Sequence, residues 1–177
     1  MGYRMAITSA FNYYEDFHVG DVYDHPRART VSNTDNLWIT HQSLNTAQAH
    51  FNLDYMQDMM GGVFRERLVM GAVTIAIVIG LTSEDMSENA FMDLGMGSIR
   101  LSNPVYKDDT LYATSEVLDV GDSDDREDAG IVSYRFEGRK TDGSIVVQGE
   151  RRLLVKRRSH WAKVDGNPQE VLNGRGA

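Results

Sequence analysis

Residues Leu68 to Leu81, LVMGAVTIAIVIGL, carry no charge, and Thr74 is the only one among them with a polar side-chain group. Charges crowd the N-terminal side at Arg65, Glu66 and Arg67 and resume at Glu84 and Asp85. A segment that is apolar all round has no solvent face, so other elements must wrap it. These 14 residues fall short of a bilayer, which takes roughly 20 apolar residues to cross. Val73, Thr74, Ile75, Ile77, Val78 and Ile79 are β-branched and lean towards strand. Length decides the other way, because such a run is long for a buried strand and ordinary for a helix. The segment is therefore predicted to be a fully buried helix over 68–81, and the rest of the chain must supply its cover.

A chain of 177 residues is long enough for one domain with a core of its own. Cysteine is absent, which excludes disulfides, thiolate metal sites and a thiol nucleophile. The N-terminal residues lack the apolar run and small-residue cleavage pattern of a signal peptide, so a cytoplasmic protein is expected, with no membrane partner. A net charge of −8 argues against nucleic-acid binding, which rests on Lys and Arg contacts to phosphates. The 17 Asp outnumber the 9 Glu, and the 14 Arg outnumber the 4 Lys. An Asp-rich, Lys-poor surface suits a high-salt, halophilic cytoplasm, where screening weakens like-charge repulsion.

The chain around the apolar segment is expected to form one irregular strand, two short helices and four antiparallel strands. Thr34 is the expected N-cap of the first helix, with Asp35 in its first turn. Phe51, Tyr55, Met56 and Met59 suggest a second short helix after His50, ended at Gly61-Gly62. From about residue 90 the apolar period becomes 2. Strands are expected over Phe91–Val105, with a bend at Gly95 and Gly97, and over Leu111–Val120, with Leu111, Ala113, Ser115 and Val117 on one face. Two more are expected over Ile131–Phe136 and Ser144–Arg157, joined by the hairpin signal Thr141-Asp142-Gly143. Residues 1–158 then form the domain, and 159–177 a polar, Gly-rich tail that docks loosely. A curved antiparallel sheet with an apolar concave face can wrap one apolar helix. The fold class is α+β, a single hot-dog fold with a central buried helix.

Without cysteine, histidines and carboxylates are the candidate acids and bases. His18 and His25 sit among turn and edge-strand residues and His160 begins the tail, so each reads as solvated. His41, between Trp38 and Leu44, reads as a partly buried structural histidine. His50 lies in the irregular link between two helices, five residues after Asn45, with Asn52 and Asp54 following. Only Asp54 stands at metal-ligand spacing from it, so no metal is expected.

Four stretches in order resemble the MaoC-like hydratase/dehydratase family, also called the (R)-specific enoyl-CoA hydratases. Family members carry Asp, then a link ending in Asn-Pro-Leu, then His; here the run is Asn45-Thr-Ala-Gln-Ala-His50. The family's Val-x-His-Gly, which opens its central helix, is Leu68-Val-Met-Gly71 here. PVYKDDTLYATSEVL from Pro104 to Leu118 is similar to the family's Pro-Val-x-x-Gly-Asp-Thr-Leu strand pair, and Thr30 and Asp35 match the lead-in to its first helix. Asn45, Gln48 and His50 further match the Asn-Pro-Gln-Pro-Leu-His of the mesaconyl-CoA (2-methylfumaryl-CoA) hydratase branch, without its prolines and leucine. The stretch GIVSYRFEGRKTDGSIVVQGERRLLVKRR also resembles that branch's last two strands.

The resemblance implies a lyase that adds water reversibly across a double bond conjugated to a CoA thioester, with no cofactor. Mesaconyl-CoA and β-methylmalyl-CoA are the expected pair. His50 would transfer protons and the Gly71 backbone N–H would hold the enolate oxygen. Asn45 stands where the family has Asp, and Asn can orient water or His50 but cannot take a proton. His50 then works alone, or a carboxylate such as Asp54 or one across a dimer interface assists, or hydration is lost. Arg65, Arg67 and Arg100 are candidates for the CoA phosphates. A homodimer or higher homo-oligomer is expected, with the active site shared between subunits. A hot-dog thioesterase and a non-catalytic acyl-CoA-binding protein are the alternatives.

Overall fold

The computed structural model describes residues 4–64 and 66–166. Four long strands dominate: β4 (Ala90–Leu101), β5 (Thr110–Asp122), β6 (Ala129–Lys140) and β7 (Ile145–Lys156). Three short ones, β1 (Arg4–Met5), β2 (Asp21–Asp24) and β3 (Arg29–Thr30), complete a seven-stranded sheet. Its order is β1-β2-β5-β6-β7-β4, with β3 also on β5. Only the β1–β2 pair is parallel. Strand β4 forms one edge, and its register against β7 slips three times between Ala90 and Arg100.

The period-2 reading of β5 holds: Leu111, Ala113, Ser115 and Val117 are all buried. With Val132, Tyr134 and Phe136 of β6 and Val147, Leu153 and Val155 of β7, they form the concave core. The opposite face is polar and ion-paired, as where Arg135 meets Glu116 at 2.9 Å across β5 and β6.

The apolar segment is a helix, α3 (Gly71–Met86), lying on β5, β6 and β7. Val73, Val78 and Met86 enter the core. The helix sits so close to β6 that a Cβ on Gly138 would meet a Val78 methyl at 2.4 Å. Two expectations are corrected. Leu68 to Met70 are extended rather than helical, because the Val69 amide pairs with the Val105 carbonyl at 2.9 Å and the Met70 amide is held by the Asn36 side chain. Nor is the helix covered on every side: Ala72, Ala76 and Gly80, at i, i+4 and i+8, form an exposed strip.

Helix α1 spans Asn33–Gln42. Its N-cap is Ser32, not Thr34: Ser32 Oγ accepts the Asp35 amide, and an Asp35 carboxylate oxygen accepts the Ser32 amide at 2.8 Å. This reciprocal capping box satisfies two otherwise orphaned donors. The helix ends in a Schellman motif, with the Asn45 amide on the Thr40 carbonyl and the Leu44 amide on that of His41. Leu44 occupies the left-handed position at φ 53° and is 84% exposed. The inward residues of α1 are Asn36 and Thr40, whereas Trp38 and Ile39 face outward.

Helix α2 (Leu53–Asp58) follows a 3-10 turn at Gln48–His50. Helix α4 (Arg158–Trp161) closes the described chain. There Ala162 is buried and Asp165 pairs with Lys156 at 2.7 Å, so residues 158–166 pack against the domain. Among the described residues no helix is long and apolar enough to cross a membrane.

Candidate active site at the N-terminal end of the central helix

His50 and Gly71, 21 residues apart in sequence, line one cleft of about 240 Å³. The floor is the extended pair Leu68 and Val69 and the start of α3, with Gly71 and, one turn on, Thr74. The far wall runs from Leu101 to Val105, after β4. The Val69–Val105 backbone bond holds floor and wall together.

His50 ends a 3-10 turn whose geometry comes from Gln48, which takes the Phe51 and Asn52 amides on its carbonyl. Its Nδ1 lies 2.9 Å from the Leu68 carbonyl oxygen. A carbonyl can only accept, so Nδ1 carries the proton. The neutral ring is thereby left with its lone pair on Nε2, the arrangement a general base requires.

Gly71 is the first residue of α3. The first amide of the helix to find a backbone acceptor is that of Val73, on the Met70 carbonyl at 2.9 Å. The Gly71 amide thus belongs to the unsatisfied first turn, at the positive end of the helix. A Cβ at this position would meet Leu101 Cδ1 at 2.4 Å, so glycine lets the cleft wall close onto the helix start without displacing the Leu101 side chain. Thr74 is 2% exposed, and among the described residues its hydroxyl has no hydrogen-bond partner.

Asn45 is not among the residues that line the cleft. Its Oδ1 accepts the Ala47 amide at 2.9 Å and its Nδ2 approaches Met70 Sδ at 3.0 Å. Asp54 is exposed on α2. Arg67 lies in a neighbouring cleft of about 180 Å³ with Lys107, and Arg100 is exposed on β4, next to Leu101 of the wall. Arg65 lies outside the described residues. Sequence reasoning missed Asn36 and the wall residues Leu101 to Asn103. Asn36 is a polar residue where an amphipathic helix turns inward, and a pattern search discards such a position.

His25 is a correction. Far from solvated, it is 3% exposed. Its Nδ1 lies 2.5 Å from Asp85 Oδ2 and its Nε2 lies 2.9 Å from Ser115 Oγ. Asp21, Tyr23 and His25 alternate on one buried face along and just after β2, and that face escapes notice because all three carry polar side-chain groups. The expectation for His41 also changes: it is exposed, with its ring 5.4 Å from that of Phe51.

Two larger grooves, of about 610 and 640 Å³, lie on the other face of the sheet around Met5, Val22 and Thr114. Their cations are already engaged, Lys140 with Asp109, Arg139 with Glu137 and Arg135 with Glu116. Among the described residues no histidine and no helix start lines either, so the smaller cleft is the better chemical site.

A family model described as mesaconyl-CoA hydratase matches residues 3–174. The mesaconyl-CoA hydratase of Haloarcula marismortui is 32% identical over 157 residues, which is 88% of this chain and 42% of that one. Among solved structures, a MaoC-domain dehydratase from Chloroflexus aurantiacus superposes with a TM-score of 0.76 at 27% identity, over 84% of this chain and 45% of that one. A Mycobacterium tuberculosis protein described as a double hot-dog fold gives 0.71 at 19% identity, over 86% and 46%. The chain spans 38–45% of the length of its curated relatives. On the near end-to-end match of the family model, this hot-dog chain belongs to the mesaconyl-CoA hydratase family.

Proposed function

We propose that the chain hydrates an enoyl-CoA thioester reversibly, with mesaconyl-CoA and β-methylmalyl-CoA as the pair, in the cytoplasm. The observation that carries this reading is the fixed tautomer of His50, with Nδ1 committed to Leu68 and Nε2 free, in the same cleft as the open Gly71 amide. The names of the family and of the Haloarcula relative support the substrate class.

The chemistry follows from these two groups. Nε2 of His50 takes a proton from water as the oxygen adds to Cβ. Electrons move onto the thioester oxygen, which the Gly71 N–H stabilises as the enolate. The protonated His50 returns the proton to Cα as the C=O re-forms. No cofactor is needed. Asn45, with both side-chain ends engaged, braces Met70 and the His50 turn and takes no proton. A thioesterase would want a carboxylate to direct water at the carbonyl carbon, and among the described residues none lines this cleft. Arg67 and Arg100 are the proposed contacts to the CoA phosphates, as is Arg65. Among the described residues neither Arg67 nor Arg100 is in an ion pair.

We further propose that a second hot-dog unit completes the site, in this case another copy of the chain. The cleft of about 240 Å³ is smaller than the ~300–1,000 Å³ of typical ligand pockets. Met92, Leu94, Met96, Ile99 and Leu101 are exposed along the unpaired edge of β4, and Ala72, Ala76 and Gly80 along α3. Exposed apolar surface of this extent marks an interaction face. A hydration assay with the wild-type chain, read with its mass in solution, tests both points. Hydration by a dimer is expected; full activity in a monomer would remove the second copy, and absence of hydration would remove the reading.

A further inference from the structure

One side chain reaches three separate backbone positions of the cleft, and it is not a residue that touches the reacting atoms. Asn36, on the inward face of α1, is 3% exposed. Its Nδ2 donates to the His50 carbonyl at 2.9 Å and to the Leu68 carbonyl at 3.2 Å. Its Oδ1 accepts the Met70 amide at 2.9 Å, and Thr40 Oγ1 stands 3.5 Å from the same oxygen. The orientation of the amide is forced: two carbonyls demand a donor and one amide demands an acceptor, so a flipped Asn36 would lose all three bonds.

The three positions are the ones the proposed chemistry needs. His50 is the proton carrier. Leu68 supplies the carbonyl that accepts His50 Nδ1–H and so sets the tautomer. Met70 is the N-cap residue of α3, directly before the Gly71 amide. No side chain of Met70 caps the first turn; the Asn36 oxygen instead holds the Met70 amide itself, from another helix, and so fixes where α3 begins. Asn36 thus ties the His50 turn to the helix start through a buried polar group. Buried polar groups are held to their partners because leaving one unpaired forfeits hydrogen bonds that water cannot replace there.

We propose that Asn36 is the positioning residue of the site. It locks His50 in the Nδ1–H tautomer and sets its register against the Gly71 amide. This inference rests on the hydratase reading for its kinetic consequence, but not for its spectroscopic one. Fixing the tautomer and spacing of a base is worth much in rate, since a displacement of about 1 Å can lower turnover by roughly 100-fold.

The test compares the wild-type chain with Asn36→Ala, Asn36→Asp and Ser32→Ala. Asn36→Asp keeps the acceptor for Met70 and loses the donor pair. Ser32→Ala weakens α1 at its cap, away from the cleft, and controls for stability. In Asn36→Ala, kcat for hydration is expected to fall on the order of 10- to 100-fold, with KM within about threefold. Asn36→Asp should fall nearly as far, and Ser32→Ala should keep wild-type kcat while its melting temperature drops. Nitrogen-15 spectra of the His50 ring should show the Nδ1–H form in the wild type and growth of the Nε2–H form in Asn36→Ala. A folded Asn36→Ala with kcat within twofold of wild type, or with an unchanged tautomer, overturns the proposal. If the wild type hydrates no enoyl-CoA, the hydratase reading falls by itself, and the His50 spectra alone then decide for or against Asn36.

Discussion

The two ends of helix α3 each hold a histidine among polar partners, and they are built to opposite purposes. At the C-terminal end every group is spoken for. Asp85 holds His25 with one oxygen and the Ser9 amide, at 2.7 Å, with the other, and the far nitrogen of His25 meets Ser115. All three residues are buried. At the N-terminal end the accounting is incomplete. The outer nitrogen of His50, the Gly71 amide and the Thr74 hydroxyl are left without partners among the described residues, facing a cleft. A saturated buried network stiffens a fold and specifies one arrangement of it, whereas donors and acceptors held open at a helix start await a ligand. The serine–histidine–aspartate pattern at the closed end is therefore structural, despite its likeness to a nucleophilic triad, because Ser115 is 1% exposed and its hydroxyl is engaged by the buried His25.

Mutations at the two ends should separate cleanly. The largest effect expected is His50→Ala, which should lower hydration by about 10²- to 10⁴-fold, the usual contribution of a positioned acid–base group, with little change in melting temperature. His25→Ala should do the reverse: breaking a buried pair costs about 3–5 kcal/mol, seen by denaturant unfolding, while the folded fraction keeps its kcat. Gly71→Ala should come next. Its methyl would press on Leu101, and kcat/KM should fall roughly 10- to 100-fold, with modest loss of stability because the Leu101 side chain can swing aside. Ser115→Ala, which leaves one His25 nitrogen without its hydroxyl, should cost about 1–3 kcal/mol with activity per folded molecule unchanged. Leu44→Gly should stabilise by about 1 kcal/mol, since glycine takes the left-handed conformation without the Cβ clash. A smaller gain there would mean that the exposed leucine is covered in the assembled protein.

Asp35 adds a pH signature to the first helix. Burial alone would raise its pKa, but the Ser32 hydrogen bonds and Arg29 outweigh it and hold the carboxyl below its ordinary range. A depressed native pKa contributes stability that is present above the unfolded value and lost as pH falls through the native one. The acid limb of the unfolding profile should therefore flatten in Asp35→Asn, relative to wild type.

The sequence made the wrapper legible and much of the site's wiring illegible. Alternation along Leu111 to Val117 and the uncharged run at 68–81 each have one physical solution, and both elements came out in kind. The start of α3 shifted by three residues because capture of the Met70 amide by Asn36 is a contact between residues 34 apart in sequence, invisible to a local pattern. The N-cap moved from Thr34 to Ser32 because the three-residue spacing to Asp35, which closes the capping box, belongs to Ser32. His25 was misread because its buried face is polar, so the hydrophobic alternation that marks a half-buried strand is missing. His50 and Gly71 were named from their motif, while their shared cleft comes from the fold.

Addition of water to a thioester-conjugated double bond through His50 is the chemistry assigned to the open end of α3. It is tested most directly by following mesaconyl-CoA with wild type and His50→Ala in high salt, monitoring loss of the conjugated double bond and release of free CoA thiol in parallel. The wild type is expected to consume the double bond without releasing thiol, and His50→Ala to do neither. Thiol release by the wild type, or undiminished hydration by His50→Ala, would contradict it.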